Sequence, residues 1–323
     1  MLIVDQHPHN KTITVAVLGV PNAGKSSLIN NLVGTDLSIV TSKPQTTRNT
    51  IQCIFSVDHT EVILVDTPGL HKSHQELNRR LNEQARDGAD GADLNLLLVD
   101  LTGEVLRQLV EIKEGFDGEF GPSWLVFTKS DLVKNAAGLP LDEIFAKAKE
   151  LIPSLERYLY VSAKEGENMN ILTGAICDRA QPGPHLFPNG EISNKTERFF
   201  ATEYVREAAF ELLKEELPYE LAVTIDEYQD FREKDEVSKL TCHISATIIV
   251  NRPSQRAIVV GSRGSMIKEI GMRARHKIEA MVGGQVHLNL HVKVIPKWFK
   301  NNFVLEEIGL PRAKDSARVW RKK

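Results

Sequence analysis

The chain has only three cysteines, Cys53, Cys177 and Cys242, far apart and with no CxxC pair. That spacing leaves out a disulfide framework and a cysteine-based zinc site, and it points to a reducing compartment. Long apolar runs are missing too. No window approaches the roughly eighteen consecutive apolar residues of a membrane span. Residues 1–11 hold Asp5, Pro8 and two histidines but no apolar run of signal length. No secretory signal is therefore expected, and the cytoplasm is the expected location. There is no internal repeat and no low-complexity tract.

What is present suits two domains. The chain has 323 residues, 41% hydrophobic and 26% charged, an ordinary globular composition with enough apolar residues for a core in each half. A net charge of -3 hides a strong asymmetry. Residues 241–323 carry 16 Lys/Arg against 5 Asp/Glu, whereas the preceding residues carry 24 against 38. A basic end of this size suggests a polyanion partner; the plainer alternative is a well-solvated domain.

Residues 12–18 (TITVAVL) read as a buried strand, followed by a glycine-rich turn and a helix ending at Gly34. Residues 50–57 and 61–65 read as strands around an Asp58-His59 turn, and 94–99, 124–128 and 158–161 as further strands. Helical stretches such as 77–87, 106–114 and 142–151 lie between them. Strands alternating with helices imply a mostly parallel sheet with helices on both faces. Residues 181–194 hold three prolines and two glycines and read as a linker. Beyond it the pattern predicts a helix over 196–216, strands over 223–228 and 239–250, and a continuation strand or short extra segment over 256–260. A helix follows over 265–281, with Ile267, Ile270, Ala274, Ile278 and Met281 on its apolar face. In the last strand, 286–294, Val286, Leu288, Leu290, Val292 and Val294 alternate with His287, Asn289, His291 and Lys293.

Four short motifs fall at the ends of the first set of strands. Gly19-Val20-Pro21-Asn22-Ala23-Gly24-Lys25-Ser26, with Ser27 next, matches GxxxxGK[ST] between a strand and a helix. Its backbone N–H groups and helix start can cradle phosphates, Lys25 can reach the β- and γ-phosphates, and Ser26 can ligate Mg²⁺. Asp66-Thr67-Pro68-Gly69 places a carboxylate where it can hold Mg²⁺ through water and a glycine N–H where a γ-phosphate would sit. In Thr128-Lys129-Ser130-Asp131 the aspartate can accept from both N1–H and the 2-amino group of guanine, while the lysine stem stacks on the base. In Ser162-Ala163-Lys164 the Ala163 N–H can approach guanine O6. Each motif alone could be a turn or a solvated loop. In this order, each at a strand's carboxyl end, they describe one ligand site.

The C-terminal half contains Gly261-Ser262-Arg263-Gly264 between a β-branched stretch and a helix. Such a GxxG loop lets a nucleic-acid backbone approach closely and is the clamp of KH modules. Gly261, Ser262, Arg263, Gly264, Ile267 and Lys268 are the candidate RNA contacts. Ile258 and Val260 line a groove or belong to the core. Arg273, Arg275 and Lys277 are further contacts or only a solvated helix face. His287 and His291 share a strand face, which exposed residues explain more simply than a metal. The tail 312–323, with Arg318, Arg321, Lys322 and Lys323, can add phosphate contacts or simply fray.

Residues 12–180 resemble a translation-factor-related GTPase domain, and nearly the whole chain resembles the Era family of ribosome-assembly GTPases. The resemblance implies an α/β P-loop GTPase domain followed by an α+β KH-type RNA-binding domain. The implied divisions are an N-terminal extension (1–11), the GTPase domain (12–180), a linker (181–194), the KH domain (195–300) and a basic tail (301–323). Pro44-Gln45-Thr46-Thr47-Arg48 resembles the family's switch segment, so Thr47 is assigned as the sensor of Mg²⁺ and γ-phosphate, with Thr46 the one-step alternative. Lys25, Thr47 and Gly69 are the implied catalytic set, GTP and GDP the nucleotides, and the 3′ end of small-subunit ribosomal RNA and the 30S-type subunit the partners. A monomer and peripheral contact with the inner membrane face are further expectations.

Two departures stand out. The guanine motif begins with Thr128 rather than the usual asparagine, which loses an amide. Leu70 follows DTPG where Ras-like proteins carry a glutamine, and leucine cannot orient water. The same features favour an alternative, a guanine-nucleotide-binding RNA chaperone with little turnover. A P-loop ATPase or nucleotide kinase would require Asp131 and Ala163 to be incidental.

Overall fold

The computed structural model describes residues 7–40, 43, 47–70, 76–116, 118–134, 138–188, 190–232 and 240–310. The β-branched run after Asn10 forms β1 (Lys11–Gly19), and the glycine-rich turn leads into α1 (Lys25–Val33), stopped by Gly34 in the left-handed region. β2 (Ile51–Val57) and β3 (Thr60–Asp66) form an antiparallel hairpin with Asp58 and His59 at its turn. Then α2 (Glu76–Asp90), β4 (Leu94–Asp100), α3 (Val105–Gly115), β5 (Ser123–Thr128), α4 (Leu141–Leu151), β6 (Leu155–Tyr160) and α5 (Met169–Arg179) alternate.

The strand order is β2-β3-β1-β4-β5-β6, parallel from β3 to β6, with β2 antiparallel at one edge. Central strands are covered on both faces, so Val15, Val17, Leu64, Leu96, Leu98 and Val126 are all fully buried. This parallel arrangement brings the carboxyl ends of β1, β3, β5 and β6 to one edge.

The stretch 181–194 lies along the sheet rather than spanning free space. Gln181–Pro182 forms β7, antiparallel to the start of β1. The buried Glu61 carboxylate accepts from Leu186 N–H (2.7 Å) and Phe187 N–H (3.1 Å). Ile54 N–H donates to Ile192 O (2.9 Å), and Asn194 N–H to Gln52 O (3.2 Å).

In the second half, α6 (Glu197–Leu212) starts at the Thr196 cap, whose hydroxyl accepts from Phe199 N–H. It ends before the expected Glu216 because Leu213 turns extended, Glu215 adopts a left-handed conformation and Pro218 sits in a 3₁₀ turn, Leu217–Glu220. β8 (Ala222–Asp230) and β9 (Cys242–Val250) follow as an antiparallel pair. The segment at 256–260, read as a continuation strand or a short extra segment, is a helix, α7 (Pro253–Val260). Pro253 suits the first helical turn, and the Gln255 side chain accepts from the N–H groups of Asn251 (2.9 Å) and Arg252 (3.0 Å). These local terms and the burial of Val259 outweigh the β propensity of Ile258-Val259-Val260. α8 (Ser265–Val282) and β10 (Val286–Val294) complete the module, and β10 pairs parallel to β9. The module therefore runs helix, strand, strand, helix, helix, strand, with one helix more than the sequence suggested.

A last short helix, α9 (Asn302–Glu307), returns to the first half. Leu81 of α2 shares a cluster with Ala222, Ile249, Trp298, Val304, Leu305 and Leu310, so the two halves own one core between them. Trp298 is fully buried, and its indole N–H donates to Glu220 O at 2.8 Å. Trp298→Ala is expected to lose about 3–5 kcal/mol in urea unfolding, and Trp298→Phe clearly less. A loss for the alanine variant under about 1 kcal/mol would mean that this cluster does not hold the halves together.

Candidate functional site

The P-loop closes on itself. Asn22 and Gly24 take left-handed backbone conformations, with φ of 64° and 87°. Lys25 is buried, and its Nζ donates to Gly19 O (3.1 Å) and Val20 O (2.9 Å). Burial pushes its pKa down to about 8, against the attraction of Asp66. Asp66, at the end of β3, is also fully buried. Neither carboxylate oxygen has a hydrogen-bond partner of normal geometry, and burial pushes its pKa up to about 6, opposed by nearby Ser38 and Lys25. A buried carboxylate without donors is suited to a cation.

Ser26 Oγ and Thr47 Oγ1 are 3.2 Å apart. Adjacent ligands of a small octahedral cation, each about 2.0–2.1 Å from it, stand about 3 Å from one another. The two hydroxyls therefore have the spacing of adjacent ligands of such an ion, and the buried Asp66 carboxylate is a donor of the right type to join them. Thr46, the alternative sensor, and Pro44-Gln45 lie outside the described residues.

The DTPG turn is fitted against the P-loop. A Cβ on Gly69 would stand 2.9 Å from Pro21 N, a separation only glycine tolerates. Thr67 Oγ1 donates to Val17 O (2.7 Å), and Leu70 N–H to Gly19 O (3.1 Å). The Leu70 side chain is fully buried in the core. It is part of the packing, so positioning of an attacking water falls to another group.

At the other end of the edge, Thr128 Oγ1 lies 2.8 Å from Ala23 O and 3.1 Å from Val99 O. Its one proton is shared between the P-loop and β4, so the threonine ties the guanine motif to the phosphate cradle without an amide. Lys129 Nζ meets Asp100 Oδ2 at 2.6 Å. Burial alone would raise the Asp100 pKa, but Lys129 and Thr102 hold it below the usual carboxylate range. Asp131 is exposed, and its Oδ1 accepts from Ser162 Oγ at 2.7 Å. Asn31 Nδ2 donates to Ala163 O at 2.9 Å, fastening α1 to that loop. A cleft of about 780 Å³ runs between Ser27, Asn31, Ala163 and Lys164. The four motifs thus meet along one edge. Asp100 and Asn31 are additions that no sequence motif marked.

The GxxG loop joins α7 to α8. Gly261 has a φ of 73°, and a Cβ there would stand 2.7 Å from Met266 N. Ser262, Arg263 and Lys268 are exposed, while Gly264 and Ile267 are half-buried. Ile258 is 54% exposed beside the loop, Val259 is buried and Val260 half-buried. The basic residues further along α8 are engaged: Arg273 with Glu269 and Glu211, Arg275 with Glu279, Lys277 with Glu207. His287 stacks on His243, with ring centroids 5.1 Å apart, and His291 is exposed on the same strand. The tail 311–323 lies outside the described residues.

Between the two sites runs a set of contacts that sequence reasoning missed. Arg48, next to Thr47, is only 5% exposed; its guanidinium donates to Leu221 O (2.7 Å) and Tyr219 O (3.0 Å) in the second half. Lys43 Nζ reaches Phe210 O and Leu213 O. From α2, Arg80 donates to Leu310 O (2.8 Å) and Asn302 Oδ1 (2.8 Å), and Gln84 to Gly309 O (2.9 Å). The only sequence hint was the position of Arg48 in the switch segment.

Thr128→Val removes the donor while keeping the shape, leaving Ala23 O without that partner. The expected cost is about 1–3 kcal/mol, read as roughly tenfold weaker GDP binding by fluorescence titration, with the guanine-over-adenine preference intact. Unchanged affinity would mean that the hydroxyl does not brace the cradle.

Comparison with known proteins covers both halves. Residues 14–129 match the family described as 50S ribosome-binding GTPase, and residues 216–299 match the KH domain family. The chain is 37% identical to GTPase Era of Geobacter sp. (strain M21) over 298 residues, which span 91% of this chain and 96% of that one. It is 34% identical to GTPase Era of Carboxydothermus hydrogenoformans over 302 residues, 91% of this chain and 96% of the relative. Among solved structures, Era in complex with MgGDPNP and nucleotides 1506–1542 of 16S ribosomal RNA superposes with a TM-score of 0.84 at 31% identity, covering 94% of this chain and 100% of that one. A variant of Aquifex aeolicus Era bound to GDP·AlF4⁻ gives 0.83 at 31% identity, covering 93% and 99%. The fold, the four motifs in order and relatives matched over almost their full length agree: the chain belongs to the Era family of GTPases, a P-loop GTPase fold followed by a KH-type domain.

Proposed function

We propose that this protein is a GTP-hydrolysing switch that binds the 3′ end of small-subunit ribosomal RNA through its KH module and assists small-subunit assembly. The observation that carries the switch is the 3.2 Å contact between Ser26 and Thr47, because it joins the phosphate loop to the switch segment at a cation's spacing. The RNA assignment rests on the exposed GxxG loop and on the likeness, across both halves, to Era bound to a 16S ribosomal RNA fragment.

In this reading Lys25 exchanges its two carbonyl partners for β- and γ-phosphate oxygens. Backbone N–H groups of residues 19–27 and the start of α1 hold the phosphates. Ser26 and Thr47 hold Mg²⁺ directly and Asp66 holds it through water. When bound, Mg²⁺ supplies positive charge that neutralises the phosphates during transfer. Asp66-Thr67-Pro68-Gly69 reports the γ-phosphate, with Gly69 as the sensing N–H. Asp131, held by Ser162, recognises guanine, Lys129 covers the base, and the Ala163-Lys164 loop approaches O6. With Leu70 buried, intrinsic hydrolysis is slow.

Gly261 and Gly264 admit the RNA backbone, with Ser262, Arg263 and Lys268 at its phosphates and Ile267 behind the loop. Ile258 offers an apolar surface for a base. The protein acts as a cytoplasmic monomer, with any membrane contact peripheral. No helix among the described residues is long and apolar enough to cross a membrane.

A reciprocal pair of variants tests the assignment. Lys25→Ala should abolish GTP turnover in a phosphate-release assay and leave RNA affinity largely intact. Gly261→Asp with Gly264→Asp should weaken RNA binding at least tenfold in a filter-binding assay and leave GTP binding intact. Normal turnover by the first variant, or normal RNA binding by the second, would refute the corresponding half.

A further inference from the structure

A cavity of about 250 Å³ lies where the switch segment meets the C-terminal module. Its walls include Arg48 from the switch, Arg198, Glu203 and Arg206 from α6, Thr224 from β8 and Ile308 after α9. It belongs neither to the nucleotide cleft nor to the GxxG loop.

The charges around it do not balance. Arg48 is 5% exposed and Arg206 is 3% exposed. Both guanidiniums lie against the ring of Phe210, with Cζ at 5.9 Å and 5.4 Å from its centroid. Arg48 donates to the neutral carbonyls of Leu221 and Tyr219. Arg206 Nε donates to Glu203 Oε1 at 2.9 Å, and its Nη2 meets Glu203 Oε2. The cavity wall thus sets one buried carboxylate, engaged by Arg206, against two buried cations. Arg206 Nη1 is buried with no hydrogen-bond partner. Arg198 adds a third guanidinium at the rim, and Glu307, itself exposed, is the other acidic wall residue.

We infer that this cavity binds a small tetrahedral oxyanion of the phosphate class, which supplies the missing negative charge between Arg48 and Arg206. Guanidinium groups match the geometry of phosphate oxygens and are the side chains best suited to hold them. The size limits the ligand. The cavity is smaller than the roughly 300–1,000 Å³ that takes a drug-sized molecule. A free ion fits within it, whereas a whole nucleotide would have to project beyond it. Because Arg48 follows Thr47 directly, an anion here would fasten the switch segment to the second half.

The test uses the full chain saturated with Mg²⁺ and a non-hydrolysable GTP analogue, so that the P-loop cannot take the probe. Inorganic phosphate is titrated at constant ionic strength, set with chloride, and thermal unfolding and ³¹P line width are followed. Wild type should show a saturable rise in unfolding temperature and a saturable line broadening. Arg206→Gln should lose both, and Arg198→Gln, at the exposed rim, should raise the half-saturating concentration several-fold. Retained analogue binding certifies that Arg206→Gln is folded; if it is not, Arg198→Gln decides alone. No saturable response in wild type, or an unchanged half-saturating concentration in the folded variants, overturns the inference. Neither outcome depends on whether the protein hydrolyses GTP.

Discussion

Two hydroxyl oxygens 3.2 Å apart, on Ser26 and Thr47, set the terms for the rest of the molecule. Ser26 is fixed by α1 and the phosphate loop, so Thr47 draws the switch segment to that loop. The next residue, Arg48, is then committed to the other half, where its guanidinium meets the carbonyls of Tyr219 and Leu221. The peptide link makes these two engagements one event. A change in the contact between Ser26 and Thr47 must be accommodated where Arg48 is held, or Arg48 must let go.

The second path is apolar. α2 follows the DTPG segment and places Leu81 in a cluster built otherwise from the C-terminal half. Arg80 and Gln84 of the same helix hold the chain at Leu310 and Gly309. The segment holding Thr47 and Arg48 and the helix after DTPG therefore bear on one region, residues 298–310 and the turn before β8. Packed interfaces of this kind shift between discrete arrangements rather than deforming smoothly, which suits a switch. The stretch 181–194, bonded along β2 and β3, keeps the halves connected without fixing that interface.

Legibility in the sequence followed the range of the interactions. The phosphate cradle was readable because its chemistry is local: glycines for left-handed turns, a lysine and a serine at fixed offsets, all within a few residues. The strand ends bearing Asp66 and Thr128 were readable because buried parallel strands are continuous apolar runs, whereas β6, the edge strand before Ser162, exposes Glu156 and Arg157 and was read only over 158–161. The GxxG loop was readable for its glycines, but the helix before it was not, since Ile258-Val259-Val260 carries strand propensity and only Pro253 and Gln255 argue otherwise. Arg48, Arg80 and Trp298 were not readable. Their roles depend on which surfaces meet across some 170 to 230 residues of chain, and an arginine in a polar loop gives no sign that it will be buried. Thr128 shows a smaller limit of the same kind: the loss of an amide was visible, whereas the carbonyls of Ala23 and Val99 that its hydroxyl meets were not.

If Thr47 and Arg48 transmit the nucleotide state, the coupling must run both ways and by the same factor. The direct measurement is RNA affinity with GDP and with a non-hydrolysable GTP analogue, set beside analogue affinity relative to GDP with and without RNA, in wild type and in Arg48→Met. The account predicts one common factor of several-fold in wild type, collapsing towards one in the variant while both ligands still bind. A wild-type factor of one, or a factor untouched by the substitution, would contradict it.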